Sequence, residues 1–212
     1  MKHHFVRMAA LICCYLSLTG CAALGALNAA SEPGDAYELR PPPGLPIAAS
    51  ARSEQLVIDL PTASGAIDTD RVLVRPNTSQ VQYLPGARWT QAAPVMIQTV
   101  LVEIFLRTGG FQFVGQRPIG PVSDIILVTH LSDFGVEFDP ASGEGNIVVT
   151  LVANVVREDD ATIIASRRFS RRTAISETAT PAVIAGFESV SGAIFVDLAD
   201  WVLRVRGVTR RS

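Results

Sequence analysis

Two amphipathic helical patterns, each with a single apolar stripe, constrain the fold of this chain most strongly. The first helix is predicted from Pro94, which suits a first turn, to Arg107, before the terminating pair Gly109-Gly110. Its apolar positions recur every three or four residues, at Ile97, Val100, Leu101, Ile104 and Phe105. The second helix is predicted to start at Thr180 as N-cap, and its stripe is Val183, Phe187, Val190, Ile194, Leu198 and Trp201. A helix with one apolar stripe buries one side, so both helices are expected to cover one face of a sheet.

The remaining apolar segments have the length and composition of strands. They are predicted at Tyr37–Arg40, Gln55–Leu60, Arg71–Arg75, Ser79–Leu84, Phe111–Val114, Asp124–Phe138, Asn146–Arg157 and Thr162–Arg172. The last two are joined by Glu158-Asp159-Asp160-Ala161, which indicates a hairpin, and a bend is expected near Gly135. With four strands between two helices, the order predicts an α/β fold, a two-layer sandwich whose sheet is mixed and mainly antiparallel.

The N-terminus has the pattern of an exported protein. A cationic start that includes Lys2 and Arg7 precedes an apolar run and then Leu18-Thr19-Gly20-Cys21, which resembles the bacterial lipobox. This resemblance implies cleavage before Cys21 and acylation of its thiol and amino group. The alternative is an uncleaved transmembrane helix within the uncharged stretch Met8–Ser31. The strongly apolar part ends near Leu18, which fits a signal peptide better.

Four regions are expected along the chain: a signal peptide at 1–20, a tether at 21–36, one domain at 37–205 and an arginine-rich tail at 206–212. The tether combines small, polar and apolar residues without periodicity, and about fifteen such residues span roughly 20–25 Å. Ala22 follows the cysteine. By analogy with sorting rules that use aspartate there for inner-membrane retention, alanine indicates the outer membrane.

The residue types left after processing exclude several classes of function. Without Lys2 and Arg7, sixteen basic residues face twenty acidic ones, and this net charge of −4 disfavours a nucleic-acid partner. All three cysteines lie at or before position 21, so no disulfide, cysteine–histidine zinc site or other metal site is expected, and no cofactor either. His130 is the one histidine outside the signal, and a structural role is expected for it. Gly-x-Ser-x-Gly does not occur, which disfavours a lipid hydrolase.

Several segments together resemble the ABC-type transport auxiliary lipoproteins, the group that includes paraquat-inducible protein C. The segments are Tyr37-x-Leu39, Gly65–Val72, Val81–Trp89, Ala93-Pro94, Gly110–Val114, Ile163–Phe169 and Trp201, and they cover most of the chain after the tether. The resemblance departs at Leu84-Pro85-Gly86, where the family more often has a second aromatic and a small residue. It implies a fold similar to the N-terminal domain of TolB. It also implies a non-enzymatic role at the outer-membrane end of an intermembrane lipid transport machine, docked on an MCE-domain protein.

Six residues are candidates for partner contact: Asp68, Asp70, Arg71, Tyr83, Arg88 and Trp89. Tyr83, Arg88 and Trp89 are placed in a loop-and-turn region before the first helix, where exposed aromatic and arginine side chains anchor interfaces. For Trp89 the alternative is a plug in the core, and for the Asp68–Arg71 segment it is a turn that satisfies its own polar groups. Arg167 and Arg168 would point to opposite faces of a strand, so the arginines there are expected to form a solvated surface rather than one patch.

The main hypothesis is therefore an adaptor that binds an MCE-domain partner and the membrane, with ring formation by copies of the chain left open. The alternative is a periplasmic lipid carrier, which would need a large internal cavity. The single apolar stripes of the helices disfavour such a cavity.

Overall fold

Nine strands and two helices make up the described part of the chain. The computed structural model describes residues 34–117, 123–139, 141–142, 144–175 and 179–211. The strands are β1 (Asp35–Tyr37), β2 (Arg52–Ile58), β3 (Thr62–Ala63), β4 (Arg71–Arg75), β5 (Gln82–Trp89), β6 (Phe111–Gln116), β7 (Ile125–Phe138), β8 (Gly145–Arg157) and β9 (Ile163–Ile175); the helices are α1 (Ala93–Thr108) and α2 (Thr180–Val205). The predicted signal peptide, Cys21 and most of the predicted tether lie outside the described residues.

The long strand β7 organises a mixed sheet, as predicted. Along one side of β7, strands β2, β3 and β4 pair with it in succession, all parallel to it. On its other side β8 pairs antiparallel over nearly its whole length, and β9 pairs antiparallel with β8. Strand β6 flanks β2, while β5 and then β1 flank β4. The long antiparallel ladders thus lie on one side of β7, and the short parallel pairings lie on the other.

The bend in β7 occurs earlier than predicted. The register with β8 shifts between Leu131 and Asp133, not at Gly135. Gly135 instead allows a close approach of strands, because a Cβ there would lie 3.2 Å from Cγ of Leu73 on β4. The glycine is explained by packing, and the bulge restores the alternation that keeps Phe134 and Val136 in the core.

The structure confirms the predicted end of the first helix and corrects the predicted start of the second. Helix α1 ends at Gly109, whose φ of 61° is left-handed, as expected for a glycine C-cap. Helix α2 begins differently from the prediction: Ala179 is its N-cap, and Thr180 is already helical, so the threonine makes no side-chain cap. Pro181 has no N–H in the first turn, which removes one of the donors that a cap would satisfy.

Both apolar stripes pack against one face of the sheet, as predicted. Leu101, Ile104 and Phe105 of α1 are fully buried, and so are Phe187 and Leu198 of α2. Helix α2 is long and apolar enough to cross a membrane by length and composition alone, but it lies against β8 and β9 with much of its apolar surface in the core. Its hydrophobicity is therefore explained by burial within this domain.

The arginines of β9 alternate between the two faces of the sheet, as predicted. Arg171 donates to Asp197 on α2, on the helix side. Arg172 donates to Glu137 on β7, on the opposite face, at 3.2 Å. On that second face His130 is exposed and shares a hydrogen bond of 2.9 Å with the hydroxyl of Thr62. Arg171 and Arg172 thus form ion pairs on two different faces and do not belong to one basic patch.

Candidate partner-docking surface

The β4–β5 ribbon, formed by Arg71–Arg75 and Gln82–Trp89, gathers most of the predicted contact residues. The two strands pair antiparallel, with Arg71 opposite Arg88 and Leu73 opposite Tyr83. Between these pairs the register shifts, and Gly86 takes a positive φ of 68° that a glycine tolerates. This irregularity brings Tyr83, five residues before Arg88, onto the same outer surface as the two arginines.

The side chains on this surface contact one another and remain accessible. The guanidinium carbon of Arg71 lies 4.0 Å from the centre of the Tyr83 ring, and the Tyr83 hydroxyl donates to the carbonyl of Ala66 at 3.4 Å. Nη1 of Arg88 lies 3.8 Å from Oδ2 of Asp70, and both side chains are more than 40 % exposed. Exposed ion pairs and cation–π contacts contribute about 1 kcal/mol or less each to stability. The arrangement therefore stabilises the fold little and leaves charged and aromatic groups open to a partner.

In the turn that precedes β4, backbone groups form hydrogen bonds with one another, while the carboxylates face solvent. The amides of Ile67 and Asp68 both donate to the carbonyl of Ser64 at 2.9 Å. The carbonyl of Asp70 accepts from the Trp89 amide at 2.6 Å, and Ile67 anchors the turn in the core. The turn considered from the sequence, whose polar groups bond to one another, is thus observed for the backbone groups. The Asp68 side chain is nevertheless exposed, so the turn is rigid and its carboxylates face solvent.

Trp89 lies in the core, which is the alternative considered for it, and its side chain is not part of the exposed surface. It is 1 % exposed, and its ring centre lies 5.4 Å from that of Phe134 and 5.3 Å from that of Phe187. The predicted loop-and-turn placement was wrong for Arg88 and Trp89, because β5 continues through Pro85-Gly86 to position 89. Strand alternation then buries Ala87 and Trp89 and turns Arg88 outward.

Most of the described chain matches a known protein family. The family model described as "ABC-type transport auxiliary lipoprotein component" matches residues 37–199. This chain belongs to that family. The match includes the β4–β5 ribbon, both stretches flanking it and most of α2.

Two solved structures and one curated protein are also similar to this chain. The chain is similar to a crystal structure from Xanthomonas campestris, a DUF330 family member, with 27 % identity, a TM-score of 0.69 and coverage of 82 % of this chain and 94 % of that one. A second crystal structure, of an uncharacterized protein, shares the fold at a TM-score of 0.58 and 12 % identity, covering 78 % of this chain and 99 % of that one. An uncharacterized protein of Bradyrhizobium diazoefficiens is 26 % identical over 179 residues, 79 % of this chain. The chain spans less than half the length of that relative, 44 %.

Sequence reasoning misplaced the bounds of one strand that lies beside the β4–β5 ribbon. Strand β1 pairs parallel with the end of β5, and the Tyr37 carbonyl accepts from the Thr90 amide at 2.8 Å. The sequence predicted a strand at 37–40, whereas the structure places it at 35–37. Asp35 and Ala36 have low strand propensity, which explains why the pattern did not include them, and in the structure they pair with β5. The described chain therefore enters the fold directly beside the ribbon.

The opposite end of the sheet carries a network of paired charged groups. Hydrogen bonds from the Ser123 hydroxyl and from Arg117 hold the pKa of Glu158 below its usual value. Arg117 also donates to Asp59 at 3.1 Å, and its pKa is raised, chiefly by the hydrogen bond to Glu158. These groups tie three loops together and are paired with one another, so they stabilise the fold rather than offer a reactive group.

The clefts described here are at least partly open to solvent. No group of three or more histidine, cysteine or acidic residues is placed to bind a metal among the described residues. One cleft of about 630 Å³ is open to solvent and is lined by Leu45, Pro46, Ile47, Arg210 and Arg211, away from the ribbon.

Proposed function

We propose that this protein is an adaptor, not an enzyme, that docks onto the MCE-domain protein of an ABC-type intermembrane lipid transport system. In this proposal, acyl chains on Cys21 hold it at the outer membrane, facing the periplasm. Membership of the auxiliary lipoprotein family supports the transport role. The docking partner and the choice of membrane are inferences from the family resemblance and from Ala22 after the cysteine.

The docking proposal rests on the residues exposed on the outer surface of the β4–β5 ribbon. Arg71, Tyr83, Arg88 and Asp70 are exposed or half-exposed there, although the same strands place Val72, Ala87 and Trp89 in the core. Arginine and tyrosine are the residue types that dominate the binding energy of interfaces. Because the inner face of the ribbon is fixed by packing, the outer groups are held in place before any partner binds, which lowers the cost of association.

Photo-crosslinking in cells tests this surface. A photo-crosslinking amino acid in place of Tyr83 is expected to capture the MCE-domain protein on irradiation. The matched control replaces Thr99, which is exposed on α1 away from the ribbon, and should capture it several-fold less. Equal capture at the two positions would place the interface elsewhere, and capture at neither would argue against docking by this domain.

The lipid-carrier alternative is less well supported. The space between sheet and helices is filled by rings such as Trp89, Phe134 and Phe187, which contact one another directly. Mass spectrometry of the protein purified without its anchor, as Cys21→Ala, distinguishes the two hypotheses. The adaptor is expected to carry no stoichiometric phospholipid, whereas one bound lipid per chain would favour the carrier.

The same variant tests anchoring. Two or three acyl chains bind a membrane stably, at about 0.8 kcal/mol per buried CH₂. Cys21→Ala should therefore move the protein from the membrane to the soluble periplasmic fraction. Retention in the membrane would instead favour an uncleaved N-terminal helix.

A further inference from the structure

The outer edge of strand β9 is long and unpaired within the described part of the chain. Strand β9 runs from Ile163 to Ile175 and pairs with β8 along this length. No other described strand pairs with it. A free edge carries a row of N–H and C=O groups with the spacing of a β-ladder, so it can accept a further strand. What can pair there depends on which groups point outward and on their charge.

The ladder between β8 and β9 shows which backbone groups of β9 are free. The amide of Arg157, at the end of β8, donates to the Thr162 carbonyl and so points toward β9. Because alternate residues of a strand bond to opposite sides, the odd-numbered residues of β8 bond to β9, where their register partners are also odd-numbered. The hydroxyls of Thr150 and Ser170 lie 2.9 Å apart, as expected for a pair that exchanges no backbone hydrogen bonds. Five exposed residues of β9 therefore direct their amides and carbonyls away from β8: Ser166, Arg168, Ser170, Arg172 and Ala174.

The side chains along this edge are basic, and only part of their charge is neutralised. Strand β9 contains four arginines and no acidic residue. Arg171 and Arg172 pair with carboxylates of α2 and β7. Within the described ranges no ion pair involves Arg167 or Arg168, although the guanidinium carbon of Arg167 lies 4.9 Å from the ring centre of Phe169. Because consecutive residues of a strand point to opposite faces, one uncompensated guanidinium lies on each face of the sheet beside the free edge.

Acidic residues farther inside the sheet do not cancel this charge at the edge. On the face opposite the helices, Asp133 is level with Ser170, with Thr150 between them, so it lies two strand spacings, or about 10 Å, from β9. A strand added outside β9 would lie about 4.8 Å from β9 and about 14 Å from Asp133. The second distance exceeds the screening length of about 8 Å at physiological ionic strength. A carboxylate on an added strand therefore interacts mainly with the arginines of β9.

A second copy of the chain fits this edge poorly. Antiparallel pairing of two β9 edges centred on Ser170 would place Arg168 opposite Arg172 on one face, and it would do so twice. Centring the pairing on either neighbour of Ser170 also sets arginine opposite arginine. Like charges directly opposite each other destabilise a strand pair, whereas opposite charges stabilise it. The edge therefore favours an acidic strand over a copy of itself.

We infer that β9 binds an extended acidic segment of a partner protein as an added strand. The segment carries two consecutive acidic residues, because consecutive side chains reach opposite faces and so meet Arg167 and Arg168. Backbone hydrogen bonds to the outward groups of β9 supply the rest of the affinity. Strands β7 and β8 separate β9 from β4, so this edge is distinct from the β4–β5 ribbon. The inference does not depend on the docking proposed for the ribbon.

Peptide binding to the full-length chain, purified in detergent, tests strand addition by fluorescence anisotropy. The probe is a rhodamine-labelled octapeptide of alternating threonine and valine with two consecutive glutamates at its centre. Glutamine in place of both glutamates should weaken binding about two- to thirtyfold, because two opposite-charge pairs are lost. A peptide with proline on both sides of the glutamates keeps the charge but loses ladder donors, and it should bind at least about tenfold more weakly. Equal binding of the proline peptide would overturn strand addition, and equal binding of the glutamine peptide would overturn the acidic preference.

A matched pair of variants tests the outward backbone groups. Ser170→Pro removes an outward amide at a place where an edge strand tolerates proline, and it should weaken binding of the glutamate peptide at least about tenfold. Ser170→Ala loses the same hydroxyl, which contacts Thr150, but keeps the amide, so it should bind like the parent protein. Equal binding by the two variants would contradict strand addition. The thermal midpoints of both variants show whether each is folded.

Hydrogen exchange on the unmodified chain gives a readout that does not depend on how a variant folds. Saturation with the glutamate peptide should slow exchange of the outward amides of Arg168, Ser170 and Arg172, measured by NMR. The amides of Arg167 and Phe169 already bond to β8 and should change little. Slowing of both sets alike, or of neither, would contradict strand addition. A dimer of the parent protein that Ser170→Pro dissociates, measured by sedimentation, would show that a second copy occupies the edge and would also overturn the inference.

Discussion

Trp89 lies where the β4–β5 ribbon meets the core. Its ring packs against Phe134 and Phe187 while its neighbour Arg88 faces outward. Trp89→Ala removes a fully buried aromatic side chain and should lower the free energy of unfolding by about 3–5 kcal/mol. Urea denaturation of the domain without its anchor measures this. Thr90→Ala, at the exposed next residue, should change stability by about 0.5 kcal/mol or less.

The sequence could not decide whether Trp89 lies in the core or contacts a partner. Pro85-Gly86 has the composition of a turn, and a strand that continues through it is visible only from its pairing with β4. The two rings that bury Trp89 come from β7 and α2, forty or more residues away. The exposure of Asp68, by contrast, followed from local turn chemistry, because the partners of that turn are a few residues apart.

Glu54 makes a pH-dependent contribution to stability. Burial raises its pKa, but hydrogen bonds from Arg206 and Arg52 lower it more, so its folded pKa lies below the ordinary 4.5. Stabilisation from the carboxylate is therefore present above pH 4.5 and is lost as pH falls through the lower, folded pKa. Glu54→Gln should be less stable than the parent protein at pH 7, and the difference should shrink below pH 4.5. Urea midpoints from pH 7 to pH 3 check this, and a difference that grows on acidification would contradict it.

At the scale of elements, the contact between α2 and β8 depends on a glycine. A Cβ at Gly186 would overlap Cδ1 of Ile147 on β8. Alanine favours a helix over glycine by about 1 kcal/mol, whereas overpacking a core contact costs about 1–3 kcal/mol. The cost of overpacking should exceed the gain in helix propensity, so Gly186→Ala is expected to lower the thermal midpoint. Gly65→Ala is the control, because a Cβ there meets nothing within 4 Å, and it should leave the midpoint nearly unchanged.

The edge strand β9 is long, and we expect its arginines to hinder pairing with another copy of the chain. Among the described strands it pairs only with β8, over thirteen residues, and such an edge can pair with another chain unless charge prevents it. Arg168→Val with Arg172→Val should raise light scattering on concentration several-fold. The control Arg107→Val, on the exposed side of α1, should not. If scattering stays at the parent level, β9 is protected in some other way.

The elements themselves were predicted from periodicity far better than their pairing. Strand β4 matches its predicted bounds, and β7 begins one residue later than expected. That β2, β3 and β4 follow one another along a single side of β7 is not encoded in any local pattern. Parallel pairing between distant segments is decided by how the helices cover the sheet, which only the folded chain shows.

At the scale of the whole molecule, a docking surface made of exposed charges implies an association that depends on salt. Arg71, Arg88 and Asp70 are exposed, so their attraction for a complementary surface is screened within about 8 Å at physiological ionic strength. Such groups act mainly on the association rate. The rate of binding to the proposed MCE-domain partner should therefore fall as sodium chloride rises from 50 to 500 mM, measured by surface plasmon resonance on the anchorless protein.

Charge reversal at Arg88 tests whether that salt dependence comes from the ribbon. Arg88→Glu should slow association about tenfold or more at low salt and flatten its dependence on ionic strength, because steering is lost while the buried side of the ribbon is unchanged. The matched control is Arg107→Glu, which changes the net charge of the molecule equally but lies on α1 beside Glu103. If both variants slow association to the same extent, the effect comes from the net charge of the protein. If only Arg88→Glu does, the position of the charge on the ribbon determines how the partner approaches.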